Sequence, residues 1–140
     1  MTKKTHVKNV LKYSLIKAFT KGYIDGDTAL RLADAIKFEF SKKFPATYLA
    51  RTSMSSYVSI TIRLYSKSIK EVYKQKYLIN GILPKSFLHA IEIVVEHEIA
   101  HIINNIGGGS GHDAGFKRIA FNLFNHTEVV GRKNERSIQD

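Results

Sequence analysis

Between residues 6 and 20 the apolar side chains fall at Val7, Val10, Leu11, Leu15 and Ile16. That is one stripe of a 3.6-residue period, and it predicts a helix. Lys4, Lys8 and Lys12 lie on one line at i,i+4 spacing along it and read as a solvated face. Lys21-Gly22 and Asp25-Gly26-Asp27 interrupt the period, and Asp25 or Asp27 can cap the helix that follows. That second helix is expected to run to about Lys43, with Ala29, Leu32, Ala33, Ile36 and Phe40 inward and Pro45 ending it. From Tyr57 to Tyr65 the period becomes two, with Val58, Ile60, Ile62 and Leu64 on one face. A half-buried strand is predicted there, paired with a shorter strand at about 47–52 across a turn at 53–56. Residues 68–79 read as a third helix, opened by the capping box Ser68-Ile69-Lys70-Glu71 and stopped by Asn80-Gly81.

The strongest helical pattern follows. Phe87, Leu88, Ile91, Val94, Val95, Ile99, Ile102, Ile103 and Ile106 keep helical spacing after Pro84, a residue suited to a first helical position. The run Gly107-Gly108-Gly109-Ser110-Gly111 ends it, and a last helical period appears at Phe116, Ile119, Ala120, Leu123 and Phe124, with Asp113 as its candidate cap. The expected fold class is α+β, with helices packed on a small antiparallel sheet. Residues 1–130 are expected to make one domain, with a short extended piece at 128–130 and a polar tail at 131–140.

Candidate chemistry sits on the strongest helix. His97-Glu98-Ile99-Ala100-His101 is an H-E-x-x-H pattern. Positions i and i+4 share a helix face, so His97 and His101 can grip one metal ion, while Glu98 is rotated about 100° from His97. In zinc hydrolases the metal lowers the pKa of a bound water to about 7 and a carboxylate takes its proton. His112 follows His101 by eleven residues, and a chain that reverses in the glycine run brings it to the metal as a third ligand. His89 lies about 80° around the helix from His97 and reads as a surface or core residue. His126 reads as an exposed histidine near the chain end.

His97-Glu98-Ile99-Ala100-His101, with Gly111-His112 and Phe116 after it, resembles the SprT-like (Spartan-type) zinc metalloprotease domain. The similarity is strongest from about 84 to 124 and extends more weakly to 57–65. The chain has Asp113-Ala114-Gly115 where the family more often has Gly-Pro-Glu or similar, and no cysteine ribbon follows. The resemblance implies a zincin-like metalloprotease core, with His97, His101 and His112 as ligands of Zn2+ and Glu98 as the catalytic base. It also implies a strand edge beside the active helix that takes up the substrate, and proteins bound or crosslinked to DNA as substrates.

Charge adds an independent observation. The net charge is +10, yet residues 1–83 hold 16 Lys/Arg against 5 Asp/Glu and residues 84–140 hold 6 against 7. A basic half beside a neutral one points to a polyanion, most simply nucleic acid, and, with the resemblance, to single- or double-stranded DNA. Lys67, Lys70, Lys74 and Lys76 interleave with Tyr73 and Tyr77, a local candidate for nucleic-acid contact through phosphate pairing and base stacking. The competing expectation is that the tyrosines pack inward and the lysines are merely solvated. With no cysteine there is no disulfide or thiolate site. The sequence has neither a signal-peptide pattern nor a run long enough to span a membrane, so a cytoplasmic protein is expected, with nucleoid or nuclear association compatible. Two other function classes fit a basic chain with three histidines. One is a metal-dependent nuclease, disfavoured by the glutamate beside the first histidine. The other is a non-catalytic nucleic-acid or transcription-associated adaptor with a structural zinc, which calls for a fourth protein ligand such as His126 or Asp113.

Overall fold

The computed structural model describes residues 1–44 and 48–127 and the backbone of residues 136–138. In chain order the elements are α1 (Lys3–Thr20), α2 (Gly26–Ala35), β1 (Ile36–Ser41), β2 (Ala50–Ser56), β3 (Ser59–Tyr65), α3 (Ser66–Lys74), β4 (Tyr77–Ile79), α4 (Phe87–Ile106), α5 (Ala114–Phe124) and β5 (Arg136–Ile138). The class is α+β. The chain is built around α4, on which α1, α3, α5, β2 and β3 all pack. That helix is buried nearly all round, with Ala90, Ile91, Ile93, Val94, Val95, Ile99, Ala100, Ile102 and Ile103 in the core and Glu96, His97, Glu98 and Asn104 buried beside them. Its start is set by Ser86, whose hydroxyl accepts from the His89 backbone N–H, so Pro84 lies ahead of the helix and not at its first position.

The three-stranded sheet has the order β1-β3-β2. β2 and β3 are antiparallel, with Thr52 opposite Ile62, but β1 runs parallel to β3, with Ile36, Phe38 and Phe40 opposite Ile60, Ile62 and Leu64. The sheet is therefore mixed, and the expectation of an antiparallel one is corrected. The same strand corrects the second helix, which ends at Ala35, ten residues after its Asp25 cap. Ile36 and Phe40 are four apart and fit a helix, but with Phe38 they also alternate with Lys37, Glu39 and Ser41. Pairing with the exposed edge of β3 settles which period wins, since the backbone groups of β3 need partners on both sides. Pro45 and Thr47 lie outside the described residues.

Other boundaries move for identifiable reasons. β2 begins at Ala50 and reaches Ser56, so the hairpin turns at Tyr57-Val58, and Val58 is exposed while Ile60, Ile62 and Leu64 are buried as expected. The capping box at Ser68 does not form: α3 starts at Ser66 with no side-chain cap, and Ser68 is buried within it. The helix stops at Lys74 and the chain enters β4. Asn80 and Gly81 both have positive φ (51° and 82°) between Ile79 and Ile82, whose backbones exchange two hydrogen bonds of 2.9 Å. Asn-Gly acts here as a two-residue hairpin turn and not as a helix stop. β4 pairs with the backbone of β5. The predicted extended piece at 128–130 lies outside the described residues, as does the predicted tail at 131–140 apart from the β5 backbone. Among the described residues no helix is long and apolar enough to cross a membrane.

Candidate metal centre

α4 carries His97 and His101 one turn apart on the face turned toward α5 and β2. The third histidine depends on how the chain leaves the helix. Gly108 has φ of +93°, a conformation open to glycine, and turns the chain back. At Gly109 a Cβ would stand 2.4 Å from the Asn104 side chain, so only glycine lets the loop lie against the helix. Asn104 is buried, and its Nδ2 donates to Asp113 Oδ1 at 2.9 Å. Asp113 also accepts from the backbone N–H of Phe116 at 2.9 Å and of Ser110 at 3.0 Å. These donors favour the ionised carboxylate, the Phe116 N–H most strongly, and hold Asp113 below its usual range. Asp113 is thus the cap of α5, as the sequence suggests, and also the clamp of the glycine loop. His112 is fixed between the two.

The three imidazoles converge. His97 Nε2 is 3.1 Å from His101 Nε2 and 3.2 Å from His112 Nε2, and His101 and His112 are 3.0 Å apart. Each neutral Nε2 is a donor or an acceptor, so in a triangle at least one pair must be alike. The nitrogens cannot all satisfy one another. They fit a shared cation, since nitrogens at 2.0–2.1 Å from one tetrahedral ion lie about 3.3–3.4 Å from each other. The cluster His97, His101 and His112 can hold a metal ion. Beneath it lies the fully buried Phe116, stacked on His101 at 4.1 Å between centroids and 4.8 and 5.1 Å from the His112 and His97 rings.

Glu98 is buried beside the cluster, and its two oxygens face different ways. Thr52 of β2 donates its hydroxyl to Oε1 at 2.8 Å, while Oε2 is 4.0 Å from His97 Nε2. Thr52 was not singled out by the sequence, because a threonine in an alternating strand carries no signal of its own. The centre opens on a cavity of about 460 Å³ lined by Ala50, Thr52 and Met54 of β2, by Asn105, and by Ser110 and Gly111 of the loop. β2 is the outer strand of its sheet, so among the described residues no strand pairs with its far edge.

The remaining histidines take other work. His89 Nδ1 accepts from the Lys85 N–H at 2.9 Å, an N-terminal contact of α4. His126 is not exposed, as expected from its place near the chain end, but 1% accessible, with Nε2 3.3 Å from Glu96 Oε1. Burial lowers its pKa and outweighs the opposing pull of Glu96, so the contact is a hydrogen bond of a neutral ring and not an ion pair. The αL conformation of Asn125 (φ 59°) turns the chain inward to make it. With His126 on Glu96 and both Asp113 oxygens engaged, neither joins the three-histidine cluster. In the basic segment, Lys67, Lys70, Lys74 and Lys76 are exposed. Tyr73 and Tyr77 are half-buried and pack against the core, which favours a packing role for their rings.

Compared with known proteins, the chain matches no family model, no curated protein and no solved structure. Fold and site together define an α+β protein with a three-histidine cluster able to hold a metal ion, a glutamate beside it and, among the described residues, an outer strand edge along the cleft.

Proposed function

We propose that this protein is a zinc-dependent endopeptidase with a zincin-like core, acting on proteins bound or crosslinked to DNA. The observation that carries the proposal is the convergence of His97, His101 and His112 with Glu98 held beside them by Thr52. Three neutral nitrogen ligands and an open side suit a catalytic zinc, which supplies a Lewis acid and acidifies water at neutral pH. Glu98 takes a proton from the attacking water and returns it to the departing amine. Thr52 keeps one Glu98 oxygen anchored, so the other is presented to the reacting water. The outer edge of β2 offers backbone donors and acceptors to an extended peptide, which then crosses the cleft as an added strand. Asp113 and Asn104 hold His112 through its loop, and Phe116 keeps the three rings in register.

The polyanion side of the proposal rests on the basic residues of positions 1–83, among them the exposed Lys67, Lys70, Lys74 and Lys76. The test is cleavage of a basic DNA-binding protein by zinc-loaded enzyme, with and without single-stranded DNA, beside Glu98→Gln. Cleavage that DNA stimulates and that Glu98→Gln lowers by at least a thousandfold, with zinc still bound, is the expected result. RNA hydrolysis that survives Glu98→Gln would replace the peptidase with a nuclease.

A further inference from the structure

A cavity larger than that of the metal centre, and sharing no lining residue with it, lies elsewhere among the described residues. It is an open groove of about 1100 Å³ between α1, α2 and β1. Its floor is apolar, built from Val7, Leu11 and Leu15 of α1 and Ile36, Phe38 and Phe40 of β1. Its lips are apolar too, where a surface should be polar: Ile16, Phe19 and Leu30 are 50%, 52% and 75% exposed. The helix α1 thus carries apolar side chains beyond the face it buries. The charged residues lining the groove are Lys4, Lys8, Lys12 and Lys37, all of one sign. Of the acids on α2 and β1, Asp27 pairs with Arg31 at 2.9 Å and Glu39 with Arg63 at 3.2 Å, while the exposed Asp34 does not line the groove.

From this arrangement we infer that the groove is a docking site for an acidic amphipathic helix of a partner protein. Lys4, Lys8 and Lys12 repeat every four residues, or about 6 Å along α1. Acidic side chains at i, i+4 and i+8 of a helix lying alongside repeat at the same interval. From Lys4 to Phe19 the groove follows α1 for about 22 Å, which matches four turns of a partner helix. Helix-in-groove binding uses an apolar stripe at i, i+3, i+4 and i+7 for the floor, with flanking charge for orientation. A single acyl chain with one anionic head group fits less well. It would engage one end of a cation row that spans about 12 Å and leave the rest uncompensated.

The inference is independent of the metal centre and is tested without it. A fluorescein-labelled 16-residue peptide with a leucine stripe and three glutamates at i,i+4 spacing is titrated with the full chain, beside the same peptide carrying lysines. Anisotropy is expected to show binding of the acidic peptide alone, weakened by salt. Lys8→Glu with Lys12→Glu should weaken it at least tenfold and admit the basic peptide. Leu30→Asp, at a position 75% exposed, should abolish binding of the acidic peptide. Equal binding of the two peptides, or of neither, overturns the inference. So does sedimentation of the wild type as a dimer that Leu30→Asp dissolves, which would make a second copy the occupant. Binding of oleate that excludes the peptide overturns it as well and makes the groove a lipid site.

Discussion

At the scale of single residues, the metal centre depends on one contact that joins two distant parts of the chain. Thr52 and Glu98 are 46 positions apart, yet the 2.8 Å bond between them decides where the Glu98 carboxylate points. Thr52→Val keeps shape and removes only the donor. A hydrogen bond to a charged group contributes about 1.5–3 kcal/mol, so kcat of the proposed peptidase should fall about tenfold or more. Zinc content, measured by competition with a chromophoric chelator, should stay unchanged. Equal kcat in the variant would mean that the backbone of α4 alone aims Glu98. His126 teaches a related point. Near the chain end it reads as exposed, but the αL turn at Asn125 returns it to the core against Glu96.

At the scale of elements, loop and helix hold each other through the glycine run. Gly109→Ala places a methyl against the buried Asn104 amide, and making room for it costs the Asn104–Asp113 bond. Asp113 then loses part of its hold on the loop that presents His112. Loss of such supporting contacts typically costs 10–100-fold in metal affinity, and that range is expected for Gly109→Ala by titration against the chelator. Ser110→Ala, next to it, should stay within about twofold, because only the Ser110 backbone N–H contacts Asp113. The site elements were legible because their signals are local: an apolar period, a glycine stop, an aspartate cap. The residues 36–41 were not, since Ile36 and Phe40 satisfy both a helical and a strand period. The Asn80-Gly81 pair was ambiguous in the same way, being a turn signal in either setting.

At the scale of the whole molecule, the apolar core around α4 is built without the metal. Removing the proposed zinc should therefore loosen the centre and leave the fold standing. A ligand that binds only the folded state at one hundred times its Kd adds about 2.7 kcal/mol. For a chain of 140 residues that raises Tm by about 5–10 °C. Thermal unfolding with zinc and then with excess chelator should show that shift and its reversal, with far-UV circular dichroism at 25 °C preserved. His112→Ala should abolish the shift. Unfolding at 25 °C on chelation would instead mark the metal as structural.

By itself the sequence determined the constellation at the heart of the candidate metal centre. His97, His101 and Glu98 are related by helical geometry over five residues, and no long-range contact is needed to put them on one turn. Tertiary structure decided everything that turns on a partner from elsewhere in the chain. β1 became a parallel strand because β3 had an edge to fill, and Thr52 became the anchor of Glu98 because the β2–β3 register faces it toward α4. The lysine-flanked groove exists only where α1, α2 and β1 meet. Local periodicity records which face of an element is apolar. What covers that face, or leaves it open, depends on where the other elements pack.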